Sequence, residues 1–168
     1  MTEFFLITKF PDIEPIEHIP GNCGHISWDT QLKVIDLSTG KSLGPDMDGE
    51  ICVKGSKMFS GYLNNESETK ATIDSEGWLH TGDIGHYDQN ERIFITDRIK
   101  NVIKVGVVTI SPSEIEQFLL THECIAEVAV VGVKHRVETQ WPRAYVRVKE
   151  GKSVTAEEIK KYITGLNS

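Results

Sequence analysis

One change of pattern, near Lys100, constrains the fold more than any other feature of the sequence. Before it, short runs rich in β-branched residues are cut every few positions by Gly, Asn and Asp, the signature of strands joined by turns. After it, apolar residues spaced by three and four alternate with runs of period two, the signature of helices and strands in turn. Elements of different period bury different faces, so the chain is expected to be α+β, with a β-rich part, a seam and a small mixed part.

In the β-rich part, residues 31–36 and Gly49–Gly55 read as strands, with Ser38-Thr39-Gly40-Lys41 as a turn between them. Residues 84–87 and 92–96 read as a hairpin joined by Asp88-Gln89-Asn90-Glu91. Residues 66–73 hold good helix formers, and Asn64 or Asn65 offers a cap. Residues 1–24 carry Pro11, Pro15, Pro20, Gly21 and Gly24, which predicts irregular chain. Beyond the seam, Ser111-Pro112-Ser113-Glu114 places a hydroxyl cap, then Pro at the first helical position, then Glu three residues after the cap, and Ile115, Phe118 and Leu119 continue the apolar face. Residues 126–133 read as a strand buried on both faces, and 144–148 as an alternating one. A second helix opens at Thr155, capping toward Glu158 and running through Ile159 and Ile163.

Two segments offer chemistry. In Leu79-His80-Thr81-Gly82-Asp83-Ile84 a carboxylate follows Gly at the mouth of a strand, and an ionised Asp can accept two hydrogen bonds from a vicinal diol such as a ribose; read alone, the segment favours a turn cap, because Asx turns are common. The seam, Asp97 to Lys104, holds Arg98, Lys100 and Lys104, whose cations suit a nucleotide anion or simply a solvated linker. Gly61-Tyr62-Leu63-Asn64-Asn65 reads as structural. The six histidines, at 18, 25, 80, 86, 122 and 135, lie in no local arrangement that nominates a nucleophile relay, and none is assigned a catalytic role.

Composition excludes several partners. The net charge is −7 and no long Lys/Arg run occurs, which argues against nucleic acid and against anionic lipid surfaces. The opening Met1-Thr2-Glu3 has no basic region, and the apolar run Phe4-Phe5-Leu6-Ile7 is too short for a signal peptide or a membrane span. Cys23, Cys52 and Cys124 are odd in number and far apart, so neither a disulfide framework nor a metal site is expected from them. An intracellular location, cytoplasmic or peroxisomal, follows, although Leu166-Asn167-Ser168 is not a peroxisomal tripeptide.

Pro20-Gly21-Asn22-Cys23-Gly24, Gly49–Gly55, Gly61 to Asn65, Gly77-Trp78-Leu79-His80-Thr81-Gly82-Asp83, Ile95-Thr96-Asp97-Arg98-Ile99-Lys100, Ser111 to Glu116 and Ala126 to Gly132 follow one another in a single order. That series resembles the C-terminal part of the adenylate-forming, AMP-binding enzymes, in particular the acyl-CoA and 4-coumarate-CoA ligases and the beetle luciferases. The resemblance implies the β-rich end of the large adenylation domain over residues 1–97, a hinge over 98–104, and an incomplete α+β C-terminal domain over 105–168. It implies that Asp83 binds the adenylate ribose with support from Arg98, that Thr2 contacts the adenylate phosphate, and that Glu3 helps hold magnesium. Lys100 is implied as the hinge pivot and Lys104 as the catalytic lysine of the second half-reaction. ATP or AMP, magnesium, CoA and a small carboxylic acid are the implied cofactors and partners.

The family's Ser/Thr/Gly-rich phosphate loop and its C-terminal lysine motif have no counterpart in these residues, so the chain alone is expected to be an inactive fragment or truncated paralogue of an AMP-forming acyl- or aryl-CoA ligase. The alternative is a non-catalytic nucleotide-binding or interaction module. Gly106-Val107-Val108-Thr109 replaces the family's Lys-Gly-aromatic-Gln, putting a β-branched residue where glycine lets pantetheine pass. Lys134-His135 and Thr139 are further departures.

Overall fold

The computed structural model describes residues 1–10, 19, 21–106, 108–135 and 139–164. Pro11, Pro15, Pro20, Val107 and Leu166-Asn167-Ser168 lie outside the described residues. The fold is α+β and divides into two compact units, Met1–Lys100 and Asn101–Ser168, a division that falls inside the stretch 98–104.

The first unit contains β1 (Thr8–Lys9), β2 (Asn22–Ile26), β3 (Thr30–Ile35), β4 (Gly49–Gly55), α1 (Glu66–Thr72), β5 (Leu79–Tyr87) and β6 (Arg92–Arg98). They build one antiparallel sheet in the order β1-β2-β6-β5-β4-β3. Val34 stands opposite Ile51 and Leu32 opposite Val53, so the period of two puts one face of β3 and β4 into a core completed by Phe4, Leu79 and Ile93. The α1 helix is capped by Asn65, whose Oδ1 accepts from the Glu68 N–H at 3.1 Å; of the two asparagines offered by the sequence, this one caps.

Residues 1–24 are not uniformly irregular. Thr8 and Lys9 pair with Ile26 and His25, and β2 begins at Asn22. Gly24 makes the pairing possible: it has φ +85°, and a Cβ there would lie 2.4 Å from the Lys9 carbonyl oxygen. The hairpin strand expected over 84–87 starts earlier, at Leu79, so Asp83 sits inside β5 rather than at its mouth.

The second unit contains β7 (Ile103–Val105), β8 (Val108–Ile110), α2 (Pro112–Leu120), β9 (Ile125–His135), β10 (Thr139–Val148) and α3 (Ala156–Thr164). The Ser111 hydroxyl accepts from the Glu114 N–H, and Thr155 and Glu158 form a reciprocal capping box: the Thr155 N–H donates to the Glu158 carboxylate at 2.7 Å while the Glu158 N–H donates back to the Thr155 hydroxyl. Phe118 of α2 stacks on Tyr162 of α3 with ring centres 4.8 Å apart. The β7–β8 hairpin is absent from the sequence expectation, because three-residue strands are too short to show a period. The strand expected to be buried on both faces is only half-buried: Ile125 and Val130 are buried, whereas Glu127, Ala129 and Val131 are exposed. Its sheet has two strands, β9 and β10, and among the described residues the alternate β9 positions Glu127, Ala129 and Val131 face solvent. Among the described residues, no helix is long and apolar enough to cross a membrane.

Candidate active site

The site begins with a slip in the sheet. Glu50 of β4 faces Ile84 of β5, while Cys52 faces His80, so one residue on β4 opposes Thr81-Gly82-Asp83 on β5. The extra residues are accommodated because Gly82 adopts φ +70°, a region open to glycine. Their polar groups are tied down individually. The Thr81 hydroxyl donates to the Ile51 carbonyl at 2.7 Å and accepts from the Asp83 N–H at 3.1 Å. The Gly82 N–H donates to Glu50 Oε1 at 3.2 Å, and the Gly82 carbonyl accepts from the Ile99 N–H at 2.9 Å.

The bulge aims Asp83 at β6, where Arg98 stands opposite it and donates from Nε to Asp83 Oδ1 at 2.7 Å. This engages one carboxylate oxygen and leaves Oδ2 as an acceptor. The neighbouring Asp97 is buried and accepts from the Arg98 N–H at 2.7 Å. Far away in sequence, Glu3 is brought to the same unit by two backbone bonds, Phe59 N–H to the Glu3 carbonyl and Phe5 N–H to the Lys57 carbonyl. Tyr62 donates its hydroxyl to Glu3 Oε1 at 2.8 Å, and Thr2 donates to Oε2 at 2.9 Å. The Tyr62 bond, chiefly, holds the Glu3 carboxyl below its ordinary range, so Glu3 is an anion with both oxygens oriented.

Glu3, Tyr62, Arg98 and Lys100 line an open cleft of about 460 Å³, together with Glu50 and His80. Asp83 lines an adjoining apolar hollow of about 280 Å³ with Ile7, Cys23, Ile51 and Ile95. The ion pair thus spans a polar cleft and an apolar hollow, an arrangement suited to a ligand that is part ring, part diol and part anion. Lys104 lies in the second unit: it is exposed on β7 opposite Thr109, with its N–H donating to Gln140 Oε1 at 3.3 Å.

Three groups escape local reading. Tyr62, taken as structural, is the hydroxyl partner of Glu3 across 59 positions. His80, assigned no role, has Nδ1 2.9 Å from Glu50 Oε2 and Nε2 3.7 Å from Asp74 Oδ2. Cys52, set aside with the other cysteines, has its sulfur 3.7 Å from the same Nδ1. Burial, and after it the Glu50 charge, pushes the Cys52 thiol up to about 12, so it is protonated at neutral pH. Glu3 belongs to no cluster of three metal-capable side chains among the described residues; Glu50, Cys52 and His80 do.

Two family profiles match the chain: one described as AMP-binding enzyme over residues 1–63, and one described as AMP-binding enzyme C-terminal domain over residues 114–166. The chain belongs to the AMP-binding enzymes. It is 46% identical over 151 residues to 4-coumarate-CoA ligase 1 of Narcissus pseudonarcissus, an alignment covering 90% of this chain and 28% of the ligase. It is 46% identical over 144 residues to luciferin 4-monooxygenase of Nipponoluciola cruciata, covering 86% of this chain and 26% of that protein. The fold matches the ATP-bound RpMatB–BxBclM chimera B3 with a TM-score of 0.89 at 29% identity, over 99% of this chain and 33% of the chimera. The chain therefore spans about a third or less of the length of these three proteins. The family is that of AMP-forming acyl-CoA ligases, and it binds ATP and AMP.

In this member of the AMP-binding enzymes the Glu3–Tyr62 bond has a testable electrostatic signature. The lowered carboxyl stabilises the fold above the ordinary carboxylate value of 4.5, and that stability is lost as pH falls through the lowered folded value. The Tyr62 phenol is raised by the same bond, so its contribution is present below 10.0 and lost as pH rises through the raised value. Tyr62→Phe should move the Glu3 titration back up toward 4.5, followed by the NMR shift of its carboxyl carbon. An unchanged Glu3 titration would show that Tyr62 does not set it.

Proposed function

We propose that the chain is the C-terminal part of an AMP-forming acyl- or aryl-CoA ligase. Residues 1–97 close the large adenylation domain, 98–104 act as a hinge pivoting at Lys100, and 105–168 are its small C-terminal domain. In such a ligase a carboxylate oxygen attacks the α-phosphorus of ATP and pyrophosphate leaves; the CoA sulfur then attacks the acyl carbon and AMP leaves. Asp83 accepts hydrogen bonds from the ribose hydroxyls through Oδ2, Arg98 fixes the carboxylate through Oδ1, and Ile95 flanks the nucleoside on the apolar side. Thr2 contacts the phosphate, and Lys104 serves the second half-reaction with CoA.

Magnesium fits the donor set at Glu3, because one oriented, ionised carboxylate facing an open cleft is a usual protein share of a magnesium site whose other positions go to water and phosphate. When bound it would offset phosphate charge. The acid partner is a small carboxylic acid, and the compartment is the cytosol or the peroxisome.

The observation that carries this reading is the Asp83–Arg98 pair held between the polar cleft and the apolar hollow. One charge-assisted Asp–diol interaction contributes about 1.5–3 kcal/mol, so AMP should bind the 168-residue chain only in the millimolar range, where the total is about 4 kcal/mol. NMR titration with AMP should shift the amides of Gly82, Asp83 and Ile95, and Asp83→Ala should abolish those shifts. With ATP, magnesium and 4-coumarate or a fatty acid, pyrophosphate release should stay at the blank rate. Shifts that persist in Asp83→Ala would overturn the ribose assignment, and Asp83-dependent pyrophosphate release would overturn the inactivity.

A further inference from the structure

Behind the bulge, on the β4 side, three side chains of different chemistry converge. Glu50 Oε2, Cys52 Sγ and His80 Nδ1 all lie within 4.8 Å of one another. The nitrogen is 2.9 Å from the carboxylate and 3.7 Å from the sulfur. Cys52 is wholly buried, whereas the Glu50 and His80 side chains are 12% and 30% exposed and both line the open cleft, which gives an ion a way in. The other imidazole nitrogen, Nε2, faces Asp74 Oδ2 at 3.7 Å. Asp74 is itself fixed by the N–H groups of Glu76 and Trp78 at 2.9 and 2.8 Å.

We propose that Glu50, Cys52 and His80 form a binding site for a thiophilic divalent cation of the zinc type, with Asp74 orienting the imidazole. Zinc bound to sulfur, nitrogen and oxygen at its usual distances separates those donors by about 3.4–3.6 Å in a tetrahedron. The sulfur–nitrogen spacing is already close to that; the nitrogen–oxygen pair must open by about half an ångström, within reach of two partly exposed side chains. A mixed sulfur, nitrogen and oxygen set selects zinc, cobalt or cadmium over the hard, oxygen-seeking magnesium. A carboxylate behind the far nitrogen of a histidine is the arrangement that fixes the tautomer of a metal-bound imidazole. On binding, the Cys52 S–H bond breaks and its proton passes to water as a metal–sulfur bond forms; the Nδ1 proton that His80 gives to Glu50 leaves to water as Nδ1 takes the metal, and the imidazole carries its proton on Nε2 toward Asp74. The fourth position faces the cleft and is left to water.

A purely structural role makes a different demand. The Glu50–His80 hydrogen bond and the Glu50–Gly82 bond would pin the bulge without any need for sulfur. Metal binding, in contrast, requires Cys52 and pulls Glu50 Oε2 off the imidazole while Oε1 stays near the Gly82 N–H. The site is independent of the ribose reading.

The test is titration of the full chain with cobalt(II), followed by the thiolate-to-cobalt charge-transfer absorption in the near ultraviolet and by the Gly82 amide shift. One equivalent should bind and be displaced by zinc. The band should vanish in Cys52→Ser and His80→Gln and persist in Cys23→Ser and Cys124→Ser, and Asp74→Asn should weaken affinity about 10- to 100-fold. His80→Gln guards against a folding defect in the buried Cys52 variant, since its side chain is partly exposed and circular dichroism checks both. Absence of a charge-transfer band at millimolar cobalt, or a band that survives both Cys52→Ser and His80→Gln, would overturn the site.

Discussion

Gly85→Ala should strongly destabilise the first unit. A Cβ at this position would stand 2.0 Å from the Phe94 carbonyl oxygen and 3.0 Å from Ile51 Cδ1. The first neighbour is backbone of the paired strand, so no rotamer change relieves it, and the second belongs to the core cluster. Gly85 faces Gly49 on one side and Ile95 on the other, at the point where the β5–β6 register shifts between Ile84 and Gly85. Gly49 is equally crowded, with a notional Cβ 2.3 Å from the Ile35 carbonyl oxygen. Neighbouring strands here pack closer than a side chain allows, and forcing them apart opens the ladder that carries Asp83 and Arg98. Overpacking costs typically about 1–3 kcal/mol and more when backbone must move, so a loss of about 3 kcal/mol or more is expected from a total of about 5–15. Gly44→Ala is the control: nothing lies within 4 Å of its notional Cβ, and its change should stay within about 0.5 kcal/mol. Urea unfolding followed by circular dichroism measures both. A Gly85→Ala midpoint equal to that of Gly44→Ala would mean that β5 and β6 are not packed as described.

Much of the fold was legible because local rules set it. The Ser111-Pro112-Ser113-Glu114 start needs only a hydroxyl, a proline and a backbone N–H three residues on, and α2 begins where those residues place it. Gly49–Gly55 is a strand from end to end because glycines bound a β-branched run. What escaped was set by contacts distant in sequence. Glu50 reaches His80 across 30 positions and Tyr62 reaches Glu3 across 59. No spacing rule links such residues, and only the strand order β5-β4 and the slip at Thr81-Gly82-Asp83 bring the first pair together. The one local signal was Gly82, whose positive φ lets the strand carry extra residues. The family resemblance nominated Asp83 and Arg98 but said nothing of Thr81 and Glu50, which hold the backbone beneath them.

Trypsin should cut the folded chain first after Lys100. Among the described residues, every strand of the six-stranded sheet lies between Thr8 and Arg98, and every strand of the other two sheets between Ile103 and Val148, so the seam lies outside every described ladder. Lys100 is exposed in the turn that follows β6, outside any strand or helix. Lys41, another exposed turn lysine, is better protected: Asp36 accepts from the Ser38 and Thr39 side chains and N–H groups, and the Lys41 carbonyl accepts from the Asp36 N–H, which closes that loop on itself. Proteolysis needs local opening, and opening at the seam breaks fewer bonds than opening within a sheet. The two products should then differ in lifetime. Residues 1–100 keep the complete sheet and the Phe4–Leu79–Ile93 cluster. Residues 101–168 keep two two-stranded sheets, with Trp141 and Tyr145 more than half exposed, and an apolar hollow of about 360 Å³ lined by Val130, Ala144, Ile159 and Ile163. A unit of that size with alternate β9 positions facing solvent buries too little apolar surface to resist for long, so it should vanish from the digest several-fold faster than the first. Mass spectrometry of a timed digest reads both quantities. A first stable product arising from cleavage between residues 25 and 95, with 98–104 intact, would refute the hinge assigned to Lys100 and with it the proposed division of the ligase at this seam.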